Sequence, residues 1–129
     1  MKEVYKILIV CFLFLSCNNS DDNRNDNIKS FCSTENPTED LIWLKSEIEE
    51  REQNSNQFSK YLYIMQSIYN EETIIIYGDC CPTCNSVYTV YNCNGEFIGI
   101  IGNRSEDFPT EVLSEGQIIW KTEDYVCAF

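Results

Sequence analysis

The chain has 129 residues with 21 acidic and nine basic side chains, which give a formal net charge of −12 at neutral pH. A chain this acidic repels a phosphate backbone, and its few basic residues form no patch interleaved with aromatic residues, so nucleic acid is excluded as a partner. The chain contains no histidine, which excludes a Ser-His-Asp triad, a Cys-His pair and a histidine-ligated zinc site.

The first sixteen residues have the layout of a signal peptide. A basic start with Lys2 and Lys6 precedes an apolar run over residues 7–15, and the small residue Ser16 follows. The run is shorter than the roughly 20 residues that a membrane-spanning helix needs. We therefore predict that residues 1–16 are removed on export, which leaves a chain of net charge −13.

The residues before Cys17 predict a lipid anchor. Phe14, Leu15, Ser16 and Cys17 resemble the lipobox at which bacterial lipoproteins are cleaved and diacylated on the cysteine, although Phe14 stands where leucine is commonest. Two or three acyl chains hold a protein stably, whereas one chain binds only marginally. We predict lipid attachment at Cys17 and a membrane as the partner of that lipid. The alternative is an ordinary secretory peptide with a chance cysteine.

A polar tether is predicted over residues 17–30. Residues 18–27 include no apolar side chain, so this segment cannot form a core and is expected to be disordered. Residues 18–30 could reach at most about 45 Å. Ser20, Asp21 and Asp22 resemble the acidic export signal that sends Bacteroidota lipoproteins to the outer face of the outer membrane. We predict the cell surface as the location, with periplasm-facing anchorage as the alternative.

Residues 31–129 suit a single domain with a modest core. An even number of cysteines in a small exported domain indicates a disulfide framework. The candidates are Cys32, Cys80, Cys81, Cys84, Cys93 and Cys127. Such cross-links would stabilise a domain of this size by a few kcal/mol.

The predicted elements begin with an amphipathic helix over residues 37–53. Asn36 is a candidate capping side chain, Pro37 fits the first helical position, and Leu41, Leu44 and Ile48 recur at helical spacing. Ile42 and Trp43 are expected to widen the apolar face.

Five strands follow, rich in β-branched and aromatic residues, over residues 61–69, 73–77, 87–91, 97–101 and 117–121. Asn94 and Gly95 form the strongest hairpin signal. Residues 102–116 are expected to be mostly loop, with one helical turn after Pro109. The predicted fold class is α+β, with one N-terminal helix packed on an antiparallel sheet of four to five strands, stapled by disulfides.

Strand geometry limits the disulfide pairings. Cys84 and Cys93 lie at opposite ends of the third strand, about 30 Å apart, whereas a disulfide needs α-carbons within about 7 Å. Cys80 and Cys81 lie at the same end as Cys84. Cys93 must therefore pair with Cys32 or Cys127. If all six cysteines are bonded within the chain, the other of these two pairs with one cluster cysteine, and the remaining two cluster cysteines bond each other. A bridge between the adjacent Cys80 and Cys81 would be strained, so the internal pair is Cys80–Cys84 or Cys81–Cys84. Four arrangements remain.

The Cys81–Cys84 spacing is also that of a thiol–disulfide oxidoreductase. A reactive pair needs its first cysteine at a helix N-terminus, where the helix dipole lowers the thiol pKa, and residues 85–90 indicate a loop entering a strand instead. Zinc ligation by four of the cysteines is disfavoured because no second C-x-x-C is present and the compartment is oxidising.

Other candidate groups favour structural roles. The carboxylate pairs Glu71–Glu72 and Glu106–Asp107 fall where turns are expected and lack calcium-loop spacing. Several tyrosines alternate along the strands, and some must face outward if a single helix covers the sheet. They could form a recognition surface, but aromatic pairs across strands are ordinary sheet stabilisers, which favours packing. These are Tyr61, Tyr63, Tyr69, Tyr77, Tyr88 and Tyr91. We predict no catalytic residue, no metal site and no cofactor.

The sequence resembles a family of small Bacteroidota lipoproteins of unknown function. The resemblance covers most of the domain and is carried by residues 36–45 after a cysteine, by the cysteine cluster, by residues 89–95 and by a late Ile-Trp-Lys at residues 119–121. It implies the source, the fold and the anchor and supplies no activity.

Three functions are kept open. The preferred one is a non-enzymatic, lipid-anchored envelope lipoprotein that acts as a protein-binding or structural module. The alternatives are a thiol–disulfide oxidoreductase that uses Cys81 and Cys84, and an acidic immunity or inhibitor protein directed at a basic partner.

Overall fold

The computed structural model describes residues 31–102 and 107–128. The predicted signal peptide (1–16) and tether (17–30), with Cys17, Ser20, Asp21 and Asp22, lie outside the described residues, as does Glu106. They stay predictions.

The described chain is an α+β domain built on one five-stranded antiparallel sheet. The helices are α1 (Pro37–Asp40), α2 (Ile42–Gln53) and α3 (Glu111–Ser114), and single 3-10 turns occupy Phe31–Ser33 and Ser59–Tyr61. The strands are β1 (Leu62–Tyr69), β2 (Glu72–Asp79), β3 (Tyr88–Tyr91), β4 (Phe97–Ile101) and β5 (Gln117–Lys121), in the sheet order β4-β3-β2-β1-β5. The predicted class and strand number are confirmed at this level.

The predicted N-terminal helix is broken at Leu41. Leu41 adopts an extended conformation (φ −85°, ψ 100°). Its N–H donates to Pro37 O in the last hydrogen bond of α1, and its carbonyl accepts from the Lys45 N–H in the first hydrogen bond of α2. The break directs Ile42 into solvent, where it is 85% exposed. The expectation that Ile42 widens the apolar face was wrong. The Asn36 side chain does not cap α1 either, since its Oδ1 accepts from Thr38 Oγ1.

One face of the sheet is covered by α2. Leu44 and Ile48 of the helix pack on Ile64, Ile75 and Tyr77 of β1 and β2. These sheet positions share a face because side chains alternate along a strand and the register pairs Ile64 with Tyr77. Burial of such aliphatic side chains stabilises the fold by about 1.5–3 kcal/mol each.

The opposite face is covered as well. Met65, Ile76 and Val90 form a second cluster with Phe108 and Val112. Both belong to residues 107–116, which contain α3 and which we call the α3 segment. Tyr125 and Cys127 of the C-terminal tail pack against the same cluster. Of the six tyrosines of the predicted strands, Tyr63 and Tyr77 are buried and the other four are half-buried, which fits packing between and across the strands.

The edge strand β4 is held by the start of the α3 segment. Gly99 lies directly under this segment, and a Cβ there would come within 2.9 Å of both the Asp107 Cβ and a Phe108 ring carbon. The approach lets Asp107 Oδ2 accept a hydrogen bond from the Ile100 N–H at 3.1 Å. This N–H faces away from β3, so the carboxylate fills part of the outer edge of the sheet.

The strand register defines two ends of the domain. The β1–β2 turn at Asn70 and Glu71, the β3–β4 turn at residues 92–96 and Cys32 lie at one end, which we call the entry end. Residues 54–60, 80–87 and 122–128 lie at the other, the far end, because β1 begins, β2 ends and β5 ends there. Helix α2 runs from the entry end toward the far end.

Candidate functional site

The six domain cysteines form three pairs. Cα–Cα distances are 5.4 Å for Cys32–Cys93, 5.9 Å for Cys80–Cys127 and 5.3 Å for Cys81–Cys84. The predicted disulfide framework is confirmed, and its pairing is one of the four arrangements left by strand geometry. Two of the bridges attach the first and the last part of the described domain to the sheet. Cys32–Cys93 does so at the entry end, and Cys80–Cys127 does so at the far end.

A second contact joins the helical segment to the entry end. The Trp43 indole lies over Gly95 in the β3–β4 turn, and its Nε1–H donates to Cys93 O at 2.9 Å. Gly95 has φ +81°, a conformation that favours glycine, and it also lacks the Cβ that would collide with the indole. The β3–β4 turn is therefore held both by the Trp43 side chain and by the disulfide to Cys32.

The C-x-x-C motif lies in a tight turn at the far end. Residues 80–87 contain no helix, and the Cys84 N–H donates back to Cys81 O at 3.3 Å. Asp79 Oδ1 accepts from the Cys81 N–H at 2.7 Å. The Asp79 side chain therefore holds the backbone of the turn at Cys81. The helix N-terminus that a reactive pair needs is therefore absent from residues 80–87.

The predicted turn carboxylates do lie in turns. Asn70 and Glu71 both have positive φ (49° and 68°), as in the two-residue turns that match strand twist. Glu71 and Glu72 line an open depression of about 440 Å³ beside the Cys32–Cys93 bridge. Across residues 31–102 and 107–128, no three His, Cys, Asp or Glu side chains come together in a way that could hold a metal ion.

A depression at the far end of the domain is acidic. This far-end groove has a volume of about 830 Å³. Its lining comprises Glu52, Ser55, Asn56, Ser59, Thr122, Glu123 and Asp124. Three carboxylates and no basic side chain appear among these lining residues, so the groove is suited to a positively charged group.

The floor of the far-end groove is fixed by hydrogen bonds. Thr122 Oγ1 donates to Ser59 O at 3.1 Å, and Ser59 Oγ accepts from the Asn56 N–H at 2.8 Å. Glu52 Oε1 accepts from Trp120 Nε1 at 3.2 Å, which joins the end of α2 to β5. The groove is thus formed by three segments that the β1–β5 pairing brings together, and sequence reasoning missed it.

Two buried tyrosines have raised pKa values. Burial is the main cause for both Tyr63 and Tyr77, and a hydrogen bond with Tyr88 adds to the effect at Tyr63. At Tyr77 the Glu47 charge raises the pKa further, while Arg51, whose guanidinium lies 4.5 Å from the ring centroid, lowers it. Both phenols stay neutral at physiological pH, which fits a packing role.

Comparison of the chain with protein-family models, with curated proteins and with solved structures gave no match. The resemblance to small Bacteroidota lipoproteins therefore stays a prediction. Among the described residues, none of the helices combines the length and the apolar character that crossing a bilayer requires.

Proposed function

We propose that this protein is an exported lipoprotein, anchored through lipid on Cys17 and exposed at the cell surface, whose domain is a non-enzymatic protein-binding module. The observation that carries the proposal is the pairing of all six domain cysteines. Three disulfides in a domain this small fit an oxidising compartment. Cys17 is then the one cysteine of the chain after residue 16 that is left for a lipid.

The position of the far-end groove supports a binding role. Since the chain enters the domain at Cys32, an anchor at Cys17 attaches to the entry end, and the groove lies at the opposite end. Its carboxylates would attract a basic protein surface and speed its association. An immunity or inhibitor protein against a basic target is the version of the proposal that this groove favours.

Replacing Cys17 tests the anchor. The Cys17→Ala variant is expected to lose lipid labelling and membrane association completely, because no other segment of the proposed mature chain resembles an anchor. The domain should stay folded and soluble, since residue 17 lies outside it. Palmitate labelling and membrane fractionation are the measurements. A variant still labelled with palmitate would refute the anchor.

Neutralising the far-end groove tests the binding role. The triple variant Glu52→Gln, Glu123→Gln and Asp124→Asn keeps an acceptor for Trp120 and removes three charges. At low salt, where attraction between surface charges is least screened, we expect the wild-type protein to capture a basic partner from the source cell. The triple variant should lose this partner because the charges that attract it are gone.

A matched control removes the same charge elsewhere. Glu35→Gln, Glu49→Gln and Glu115→Gln change three exposed carboxylates outside the groove. This control should capture the partner as well as the wild type does. Equal losses in both triple variants would assign the attraction to net charge, and equal capture by both would remove the groove from the proposal.

A further inference from the structure

Exposed apolar side chains cluster at the entry end. Ile42 is 85% exposed, Phe97 is 59% exposed and Ile98 is 41% exposed. Phe97 and Ile98 begin β4 directly after the β3–β4 turn, and Ile42 begins α2. Half of the large exposed hydrophobic side chains of the described chain therefore lie at one end.

A row of aromatic rings runs from Trp43 to Phe97 at this end. Trp43, which follows Ile42, lies over the β3–β4 turn, and its ring centroid is 6.3 Å from that of Tyr91. Tyr91 is in turn 5.9 Å from Phe97. The exposed Phe97 thus packs on a half-buried Tyr, and the exposed Ile42 precedes a half-buried Trp in the chain. Trp and Tyr are enriched where a protein meets a lipid interface.

The chain also enters the domain at this end. The Cys32–Cys93 bridge fixes the start of the domain to the β3–β4 turn. Residues 18–31 separate Cys17 from Cys32, so a lipid on Cys17 would hold Cys32 within about 50 Å of the membrane. Tethering at this distance keeps the entry end at a high effective concentration near lipid.

We propose that the domain rests on the membrane that anchors it, with Ile42, Phe97 and Ile98 in contact with lipid. This inference depends on the proposed lipid anchor at Cys17. The carboxylates of Glu71, Glu72 and Glu96 lie at the same end, and they disfavour an anionic surface. The occupant is therefore a zwitterionic lipid surface, and the acidic far-end groove is turned away from it.

The two tryptophans provide the test, because Trp43 lies at the entry end and Trp120 is bonded to Glu52 near the far end. The lipidated chain is reconstituted in vesicles of phosphatidylcholine with brominated acyl chains, which quench nearby tryptophan fluorescence. Trp120→Phe leaves Trp43 as the reporter, and Trp43→Phe leaves Trp120. We expect quenching of Trp43 to exceed that of Trp120 severalfold.

Substitutions then separate docking from proximity. In the Trp120→Phe background, Ile42→Ser with Phe97→Ser should reduce quenching of Trp43 to the level seen for Trp120. Phe58 and Val126, which are 52% and 54% exposed at the far end, provide the matched control. Replacing both by Ser should leave quenching of Trp43 unchanged.

Equal quenching of the two tryptophans, or quenching of Trp43 that survives the entry-end substitutions in a folded protein, would overturn the inference. If the double variant does not fold, Ile42→Gln alone replaces it, because this side chain is almost fully exposed. Flotation with the vesicles reports the anchor separately. If the native chain does not float, the anchor proposal fails, and docking is then measured on the chain coupled through the Cys17 thiol to a maleimide lipid.

Discussion

Replacing Cys32 and Cys93 together by Ser is expected to lower the free energy of unfolding by about 4 kcal/mol. The bridge joins residues 61 apart in sequence. Removing it lets the unfolded chain regain the conformational entropy that the closed loop had taken away, and for a loop of this length that entropy corresponds to about 4 kcal/mol. The loss is a large fraction of the stability of a small domain, which is about 5–15 kcal/mol. Urea unfolding followed by circular dichroism measures it.

The Cys81–Cys84 bridge provides the comparison. It joins residues only three apart, so the same estimate gives about 2 kcal/mol for replacing both cysteines by Ser. Both variants remove one disulfide and keep the other two. If removing the short bridge lowers the free energy of unfolding as much as removing the long one, loop entropy does not explain the stabilisation. Packing around Cys81 in the folded state would then be its source.

Gly95→Ala is expected to destabilise the domain by about 3 kcal/mol. About 1 kcal/mol arises from the positive φ, which a side chain disfavours. The remainder arises because a Cβ would come within 2.7 Å of the Trp43 ring, which displaces the indole and removes its hydrogen bond to Cys93 O. Urea unfolding monitored by Trp43 fluorescence in a Trp120→Phe background measures both effects.

Gly102→Ala is the matched control. Gly102 also has a positive φ, at 93°, and no described atom lies within 4 Å of where its Cβ would be. This variant should therefore lose only the conformational part, about 1 kcal/mol. Equal losses at the two glycines would mean that the contact between Trp43 and the turn contributes nothing to stability.

The strands could be predicted because each signal is local. β-branched and aromatic runs, the polar residues 70–72 between the first two runs and the Asn94–Gly95 turn placed all five strands within two residues of their observed ends. The predicted helical turn after Pro109 is confirmed as α3. The pairing of the cysteines was narrowed correctly because strand length alone separates Cys93 from the cluster.

Features set by tertiary packing could not be predicted. The spacing of Leu41, Leu44 and Ile48 continues through the break at Leu41, so no periodicity marks it. Phe108 and Val112 pack on the second face of the sheet. They belong to residues 102–116, for which the sequence predicts mostly loop, so no local pattern indicates that they are buried.

The far-end groove is a second such case. Glu52 and Glu123 are distant in sequence, and they meet only because β5 pairs with β1. The Cys17→Ala experiment tests the predicted anchor, which lies outside the described residues. The export signal at Ser20, Asp21 and Asp22 lies outside them too and stays a prediction.

The bond from the Ile100 N–H to Asp107 has a consequence for crowding. In the order β4-β3-β2-β1-β5, strand β4 is one of the two edge strands of the described sheet. A free edge can add a strand from a neighbouring molecule, and a charged side chain on the edge opposes that addition. Lipid-anchored copies would be concentrated in the plane of a membrane, where such encounters are frequent. The Asp107 carboxylate already occupies a donor on that edge, so neighbouring copies meet a negative charge there instead of an open strand.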